Sequence, residues 1–237
     1  MKCRNCKEIL TKKFVDLGTP PHANNYLKKP SINTETFPLK IFVCENCWLV
    51  QTIDYISYDK IFSNDYAYFS STSSSWLKHA KEFVTEIITE LSLNKKSFVV
   101  EIASNDGYLL QNFLAHNISN LGIEPTKSTA NVAKKKGIEV FNDFFSQQTA
   151  EKIIRNYKKA DLIIGNNVYA HVPDINDFTK AIKILLKKNG VVTLEFPHIL
   201  NLINENQFDT IYHEHFSYLS LLAVSKIFKT NGLKIYN

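Results

Sequence analysis

Val99-Val100-Glu101-Ile102-Ala103-Ser104-Asn105-Asp106-Gly107-Tyr108 reads as a buried apolar strand that ends in a tight turn and opens onto a helix. Working outward, the same alternation repeats. A strand over 98–102 leads to a helix near 108–116, and one over 120–123 leads to a helix near 127–136. Strands over 138–141 and 161–165 lead to helices near 146–156 and 175–186, and a further strand follows at 190–195. Apolar strands separated by amphipathic helices predict a doubly wound, mostly parallel α/β sheet with helices on both faces. On the N-terminal side, Leu77, Ala80, Phe83, Val84, Ile87 and Ile88 recur at three- and four-residue spacings, which predicts an amphipathic helix over 76–91.

In doubly wound folds ligands sit outside the carboxyl ends of the strands, near the point where strand order reverses. Glu101, Ala103, Ser104, Asn105, Asp106 and Gly107 line the first such turn and are the expected cofactor-binding residues. About twenty residues on, Glu124 ends the next strand, where a carboxylate can take both ribose hydroxyls. A dinucleotide site would show the same spacing, but this turn lacks the GxGxxG glycines that pyrophosphate contact needs. Its acids would also repel a diphosphate, whereas a positively charged sulfonium nucleoside fits. After the third strand, Asn142, Asp143 and Phe144 offer a partner for an adenine amino group and an aromatic to pack on the ring, and Asn166, directly after the fourth strand, completes the expected cofactor-binding residues. Singly, Glu124 would be an ordinary strand-end acid and Phe144 a core residue. Their order carries the reading, and the expected cofactor is S-adenosyl-L-methionine.

The first 60 residues differ in kind. They are loop-rich, punctuated by Gly18-Thr19-Pro20-Pro21 and Lys29-Pro30, and so small a module needs a staple. All four cysteines fall there as two CxxC pairs, Cys3/Cys6 and Cys44/Cys47, separated by 37 residues. Redox CxxC motifs occur singly beside a βαβ unit, whereas four thiolates in two knuckles complete a tetrahedral Zn2+ shell with no open position, so the expected zinc is structural. At 237 residues and 44% hydrophobic content the chain can bury one full core and a small module, but hardly two full domains. The expected organisation is a zinc-binding module over 1–60, a connector and helix over 61–95, and a cofactor-binding sheet domain over 96–237. No secretory signal opens the chain and no run approaches the roughly 18 apolar residues of a membrane span, so a cytoplasmic protein without a membrane partner is expected. The net charge of +5 comes from lysines scattered over predicted helix faces, which reads as a solvated surface and not as a nucleic-acid groove.

The two CxxC pairs, Leu17-Gly18-Thr19-Pro20-Pro21, the 101–107 turn, Asn167-Val168-Tyr169-Ala170-His171 and Asp209-Thr210-Ile211-Tyr212-His213-Glu214-His215-Phe216-Ser217-Tyr218 form a further set. With these the chain resembles the nucleotide-sugar C-methyltransferases, which methylate C3 of 4-keto-6-deoxysugars. The resemblance covers essentially the whole chain, and its last motif is long and unusual. It implies a class I methyltransferase (Rossmann-like) sheet behind a zinc-binding N-terminal module, and a small-molecule nucleotide-sugar substrate. In that chemistry a C4 ketone acidifies the C3 proton, a base removes it, donors stabilise the enolate, and the carbon takes the methyl group. His215 is the expected base, with Glu214 or Tyr212 to orient it or contact the sugar. The family's catalytic positions map onto Tyr212, Glu214, His215 and His171, and its additional tyrosine maps onto Tyr66 or Tyr68. The HExxH spacing of metallohydrolases is absent from His213-Glu214-His215. Methyl transfer to a sugar hydroxyl or another small molecule, and cofactor binding without catalysis, are the alternative readings.

Members of the family continue into a second α/β domain, whereas this chain stops at Gly232-Leu233-Lys234-Ile235-Tyr236-Asn237. Two expectations follow: the sequence is a fragment, or the product is naturally short; in the reading as a partner-dependent remnant, a separate chain supplies that C-terminal domain.

Overall fold

The computed structural model describes residues 1–24, 34–56 and 68–236. In chain order its elements are β1 (Lys12–Asp16), β2 (Lys40–Val43), β3 (Val50–Thr52), α1 (Ser74–Glu90), β4 (Phe98–Ile102), α2 (Gln111–Leu114), β5 (Ser119–Ile123) and α3 (Lys127–Lys135). There follow β6 (Val140–Phe141), α4 (Gln147–Asn156), β7 (Ala160–Asn166), α5 (Ile175–Leu185), β8 (Leu186–Glu195), α6 (Ile199–Asn204), β9 (Ser217–Tyr218) and α7 (Leu221–Thr230). The chain forms two compact units, one of residues 1–61, 167–180 and 195–237, the other of 62–166 and 181–194.

The second unit holds the sheet that the strand-helix alternation predicts, in the order β6-β5-β4-β7-β8. β4 pairs in parallel with β5 on one side and β7 on the other, and β5 pairs in parallel with β6. The chain thus winds outward one way from β4 and then the other way from β7, which puts the strand-order switch at the carboxyl ends of those two strands. All five residues of β4 are buried, as a central parallel strand covered on both faces requires. Helix α1 turns Ala80, Val84 and Ile87 into a core with Val99, Leu110, Phe113, Leu162 and Ile164. Ser73 and Ser146 cap α1 and α4 by accepting the Trp76 and Thr149 amides. The largest departures from the sequence reading fall at two elements. The helix after β4 keeps only Gln111–Leu114 in α form, and β8 begins at Leu186, directly after α5.

The first unit is built on an antiparallel sheet in the order β1-β2-β3-β9. Its fourth strand comes from the far end of the chain, with Val50 opposite Tyr218 and Gln51 opposite Ser217. Three short strands could not bury a face or protect an edge by themselves. Ile199, Leu202, Ile211 and Tyr218 supply what Leu39, Ile41 and Val50 lack, and together they close the core. Among the described residues no helix is long and apolar enough to cross a membrane.

Candidate active site

The cysteines form two copies of one turn. In the first, Lys7 N–H donates to Cys3 O at 3.0 Å and Cys3 N–H to Glu8 O at 2.7 Å; in the second, Trp48 N–H donates to Cys44 O and Cys44 N–H to Leu49 O, both at 2.9 Å. Lys7 and Trp48, each following its knuckle's second cysteine, both adopt φ of 65°. The four Sγ atoms lie within 4.8 Å of one another, with Cys3–Cys47 at 3.5 Å and Cys6–Cys44 at 3.4 Å. A tetrahedron of sulfurs around zinc has edges of about 3.8 Å, so the residues fit the ion. Contact with Cys3 and burial push the Cys47 thiol up, and burial pushes Cys44 up; a divalent cation among the sulfurs reverses that penalty.

In the second unit, the turn after β4 holds three alternate residues in the left-handed region: Ala103 at φ 56°, Asn105 at 50° and Gly107 at 77°. Only one of them is the glycine that this conformation favours. Asn105 is held by its side chain, whose Oδ1 accepts Asp106 N–H and Ser70 N–H, both at 2.9 Å, and whose Nδ2 donates to Tyr68 O at 3.1 Å. Ser104 lies against β5 at Gly122, where a Cβ would come within 2.3 Å of Ser104 Oγ. Glu124 fastens the turn from below: its Oε2 accepts Asn105 N–H at 2.9 Å and its Oε1 accepts Thr126 N–H at 2.8 Å.

Glu101, Asp106 and Glu124 make this turn acidic, and all three are buried. Burial, then the neighbouring charges of Glu124 and Asp106, push the Glu101 carboxyl well above the carboxylate range; burial raises Glu124 as well. Glu101 Oε2 and Asp106 Oδ1 are buried without a hydrogen-bond partner among the described residues. Asp106 Oδ2 accepts from Ser71 and has Lys136 Nζ at 3.6 Å. Two unpartnered buried acid oxygens favour a cationic ligand, and a sulfonium nucleoside meets that demand where a diphosphate does not. Asn142 Nδ2 donates to Glu124 O at 2.6 Å, and Asp143 Oδ1 accepts Phe144 N–H at 2.9 Å. Phe144 is partly exposed, and Asn166 ends β7, half-buried. Tyr68 lies in this unit, its side chain exposed; Tyr66 lies outside the described residues.

Tyr212, Glu214, His215 and His171 are all in the first unit; the first three lie on a turn and not on a strand, and His171 meets them from the 169–171 segment. His215 N–H donates to Tyr212 O at 3.1 Å, and the turn sends three consecutive side chains in three directions. His213 Nε2 meets Phe37 O at 3.2 Å. Glu214, fully buried, accepts Asn24 Nδ2 at 2.7 Å and has His22 Nε2 at 3.9 Å. His215 Nδ1 faces Thr210 O at 2.7 Å and its Nε2 faces the Tyr212 hydroxyl at 3.0 Å. A carbonyl only accepts, so Nδ1 carries the proton and Nε2 is the basic nitrogen. By the same argument His171 Nδ1–H donates to Glu214 O at 3.0 Å. The two imidazoles meet edge-to-face at 4.6 Å between centroids. Burial holds His215 down to about 4, and burial together with His215 holds His171 down to about 3, so both are neutral at pH 7. His22, Asn24, Thr210 and Tyr218 surround these groups; Thr210 and Tyr218 lie within the 209–218 motif but received no role of their own in the sequence, and His22 and Asn24 were not singled out. His22 and Asn24 directly follow the Pro20-Pro21 turn, and that adjacency is the one local signal they offer.

Comparison with known proteins bears on the family and the fold. Residues 3–62 match a family model described as "Putative zinc binding domain", and residues 76–237 match one described as "Methyltransferase domain". The chain is 33% identical over 236 residues to the C-methyltransferase NovU of Streptomyces niveus, covering 99% of this chain but 56% of that protein, so it spans a little over half the relative's length. Among solved structures, a SAM dependent methyltransferase from Archaeoglobus fulgidus superposes with a TM-score of 0.55 at 14% identity, covering 66% of this chain and 68% of its own. The YcgJ protein of Bacillus subtilis superposes with 0.52 at 18% identity, covering 65% and 68%. Both likenesses concern the fold. With the model matched over most of its length, an acidic turn suited to S-adenosylmethionine at the switch point and four cysteines placed for zinc, the chain belongs to the methyltransferase domain family.

Proposed function

We propose that the chain carries out S-adenosylmethionine-dependent C-methylation of a nucleotide-linked 4-keto-6-deoxysugar, with His215 removing the C3 proton. The observation that carries this reading is the fixed tautomer of His215: Nδ1–H is tied to Thr210 O, and Nε2 is left basic beside the Tyr212 hydroxyl. A general base works best with a pKa near the operating pH, so a His215 imidazole that burial holds down to about 4 is a weak base and relies on the adjacent ketone to acidify the proton. The C3–H bond breaks, its proton goes to Nε2, and the electron pair passes into an enolate. The Tyr212 hydroxyl, and that of Tyr218, which is buried without a hydrogen-bond partner among the described residues, are the donors at hand for the enolate oxygen. S-adenosylmethionine, when bound, supplies the electrophilic methyl group. The name of the C-methyltransferase relative supports carbon as the acceptor.

The test is calorimetric binding of S-adenosylhomocysteine, followed by turnover of a dTDP-4-keto-6-deoxyglucose-type sugar with product NMR, for wild type and His215→Ala. Both chains should bind the thioether. The variant should lose turnover by about 100-fold or more, together with cofactor-independent exchange of the C3 proton for solvent deuterium. An O-methylated product, or a His215→Ala chain with undiminished exchange, would overturn the proposal.

A further inference from the structure

We infer that Arg4 is a positioning residue that ties the zinc knuckle to the histidine pair, so that zinc binding sets the geometry of His171 and His215. Arg4 lies between two zinc ligands, and its buried side chain bonds to groups outside both knuckles. One guanidinium nitrogen donates to Pro173 O at 2.7 Å, two residues beyond His171. The other donates to Thr52 O at 3.2 Å and to Asp54 Oδ1 at 2.7 Å. Its plane also lies over the Phe216 ring, 5.3 Å from the centroid, directly after His215. Thr52 completes the link, because its hydroxyl donates to His215 O at 3.3 Å and its amide to Phe216 O at 3.2 Å. One buried cation thus holds the backbone two residues beyond His171 and the aromatic ring next to His215, with Thr52 bonding the His215 backbone itself.

The same residue is registered on the metal shell. Gln51 Nε2 donates to Cys3 Sγ at 3.1 Å, while Gln51 Oε1 accepts the Arg4 amide at 2.8 Å. A thiolate on zinc accepts that Gln51 bond, and the knuckle that zinc closes fixes the start of the Arg4 side chain. Only a planar fork with several donors can hold Pro173, Thr52 and Asp54 while lying on an aromatic face; lysine offers a point charge in its place. A role confined to stabilising the knuckle would call for none of the contacts to Pro173 or Phe216.

The inference rests on the reading of His215 as the base, and the experiment separates the two. Arg4→Lys, Phe216→Leu and the zinc-stripped wild-type chain are compared with the zinc-loaded wild type by NMR titration of the His171 and His215 ring protons. Circular dichroism and S-adenosylhomocysteine binding serve as controls, and turnover is measured in parallel. Tyr212, Tyr218 and the Glu214 backbone surround the imidazoles and are unaltered in every sample. The expected result for Arg4→Lys is a retained fold, thioether affinity within about twofold, both titrations moved upward by a unit or more, and turnover down by about tenfold. The zinc-stripped chain should show the same upward movement, and Phe216→Leu a smaller one. Histidine titrations at wild-type positions in folded Arg4→Lys or in the zinc-stripped chain would overturn the inference. Titrations that move while proton exchange at C3 does not would uphold the positioning role and count against His215 as the base.

Discussion

At the residue scale, the 101–107 turn shows how far a glycine pattern can mislead. The scarcity of glycine separates this turn from a dinucleotide loop, yet Ala103 and Asn105 adopt the left-handed backbone that glycine would supply. A left-handed alanine costs about 1–2 kcal/mol, and this one persists because Ser104 against Gly122 and Glu124 against the Asn105 amide fix its neighbours. Gly107 has no such latitude. A Cβ there would stand 2.2 Å from Ile138 Cδ1 at a φ of 77°, so Gly107→Ala should weaken S-adenosylhomocysteine binding at least tenfold by calorimetry and lower the thermal midpoint. Glu101 gives a second prediction. Its folded pKa is raised, so it keeps its proton above the ordinary 4.5, and its ionisation costs stability as pH rises through the folded value. A sulfonium beside it offsets that cost. Affinity for S-adenosylmethionine should therefore rise with pH across this titration more steeply than affinity for the uncharged thioether. Parallel slopes would show that Glu101 does not sense the sulfonium.

At the element scale, helices and central strands were legible because burial imposes periodicity on them. The runs at 98–102 and 127–135 fall where the apolar spacing puts them. Short or irregular elements left no such trace. β9 is two residues long and forms only because β3 offers an unpaired edge. The Tyr212-His213-Glu214-His215 motif could have been a strand with both histidines on one face; as a turn, it separates them. Helix α7 follows β9 directly and starts on Ser220, whose Oγ accepts the Ala223 amide at 3.2 Å. Ser220→Ala should cost about 1 kcal/mol in a denaturant melt, with little change in thioether binding.

At the scale of the whole molecule, the first unit gathers His22, His171, His213 and His215, all held below the ordinary value of 6.5 chiefly by burial. They fold neutral and must take up protons when unfolded in acid. Their contribution is fully present above pH 6.5 and is lost as pH falls toward about 4 for His215, at about 1.4 kcal/mol per pH unit for each such group. The thermal midpoint should be level from pH 7 to 8 and fall between 6.5 and 4; a level midpoint down to pH 4.5 would contradict the buried, neutral assignment. Removing zinc should also lower the midpoint, and metal analysis should give one ion per four thiols. The sequence by itself determined the strand-helix alternation, the position of the acidic turn and the four metal-ligating cysteines, because apolar periodicity and short-range spacing are local properties of a chain. Only the tertiary structure decided that residues 217–218 complete the small N-terminal sheet, that Glu214 meets Asn24 and His22, and that Arg4 reaches the Pro173 carbonyl near His171 and the Phe216 ring beside His215. Those contacts join residues more than 150 positions apart, and no local pattern encodes them; they exist because buried polar groups must find partners wherever the fold provides them.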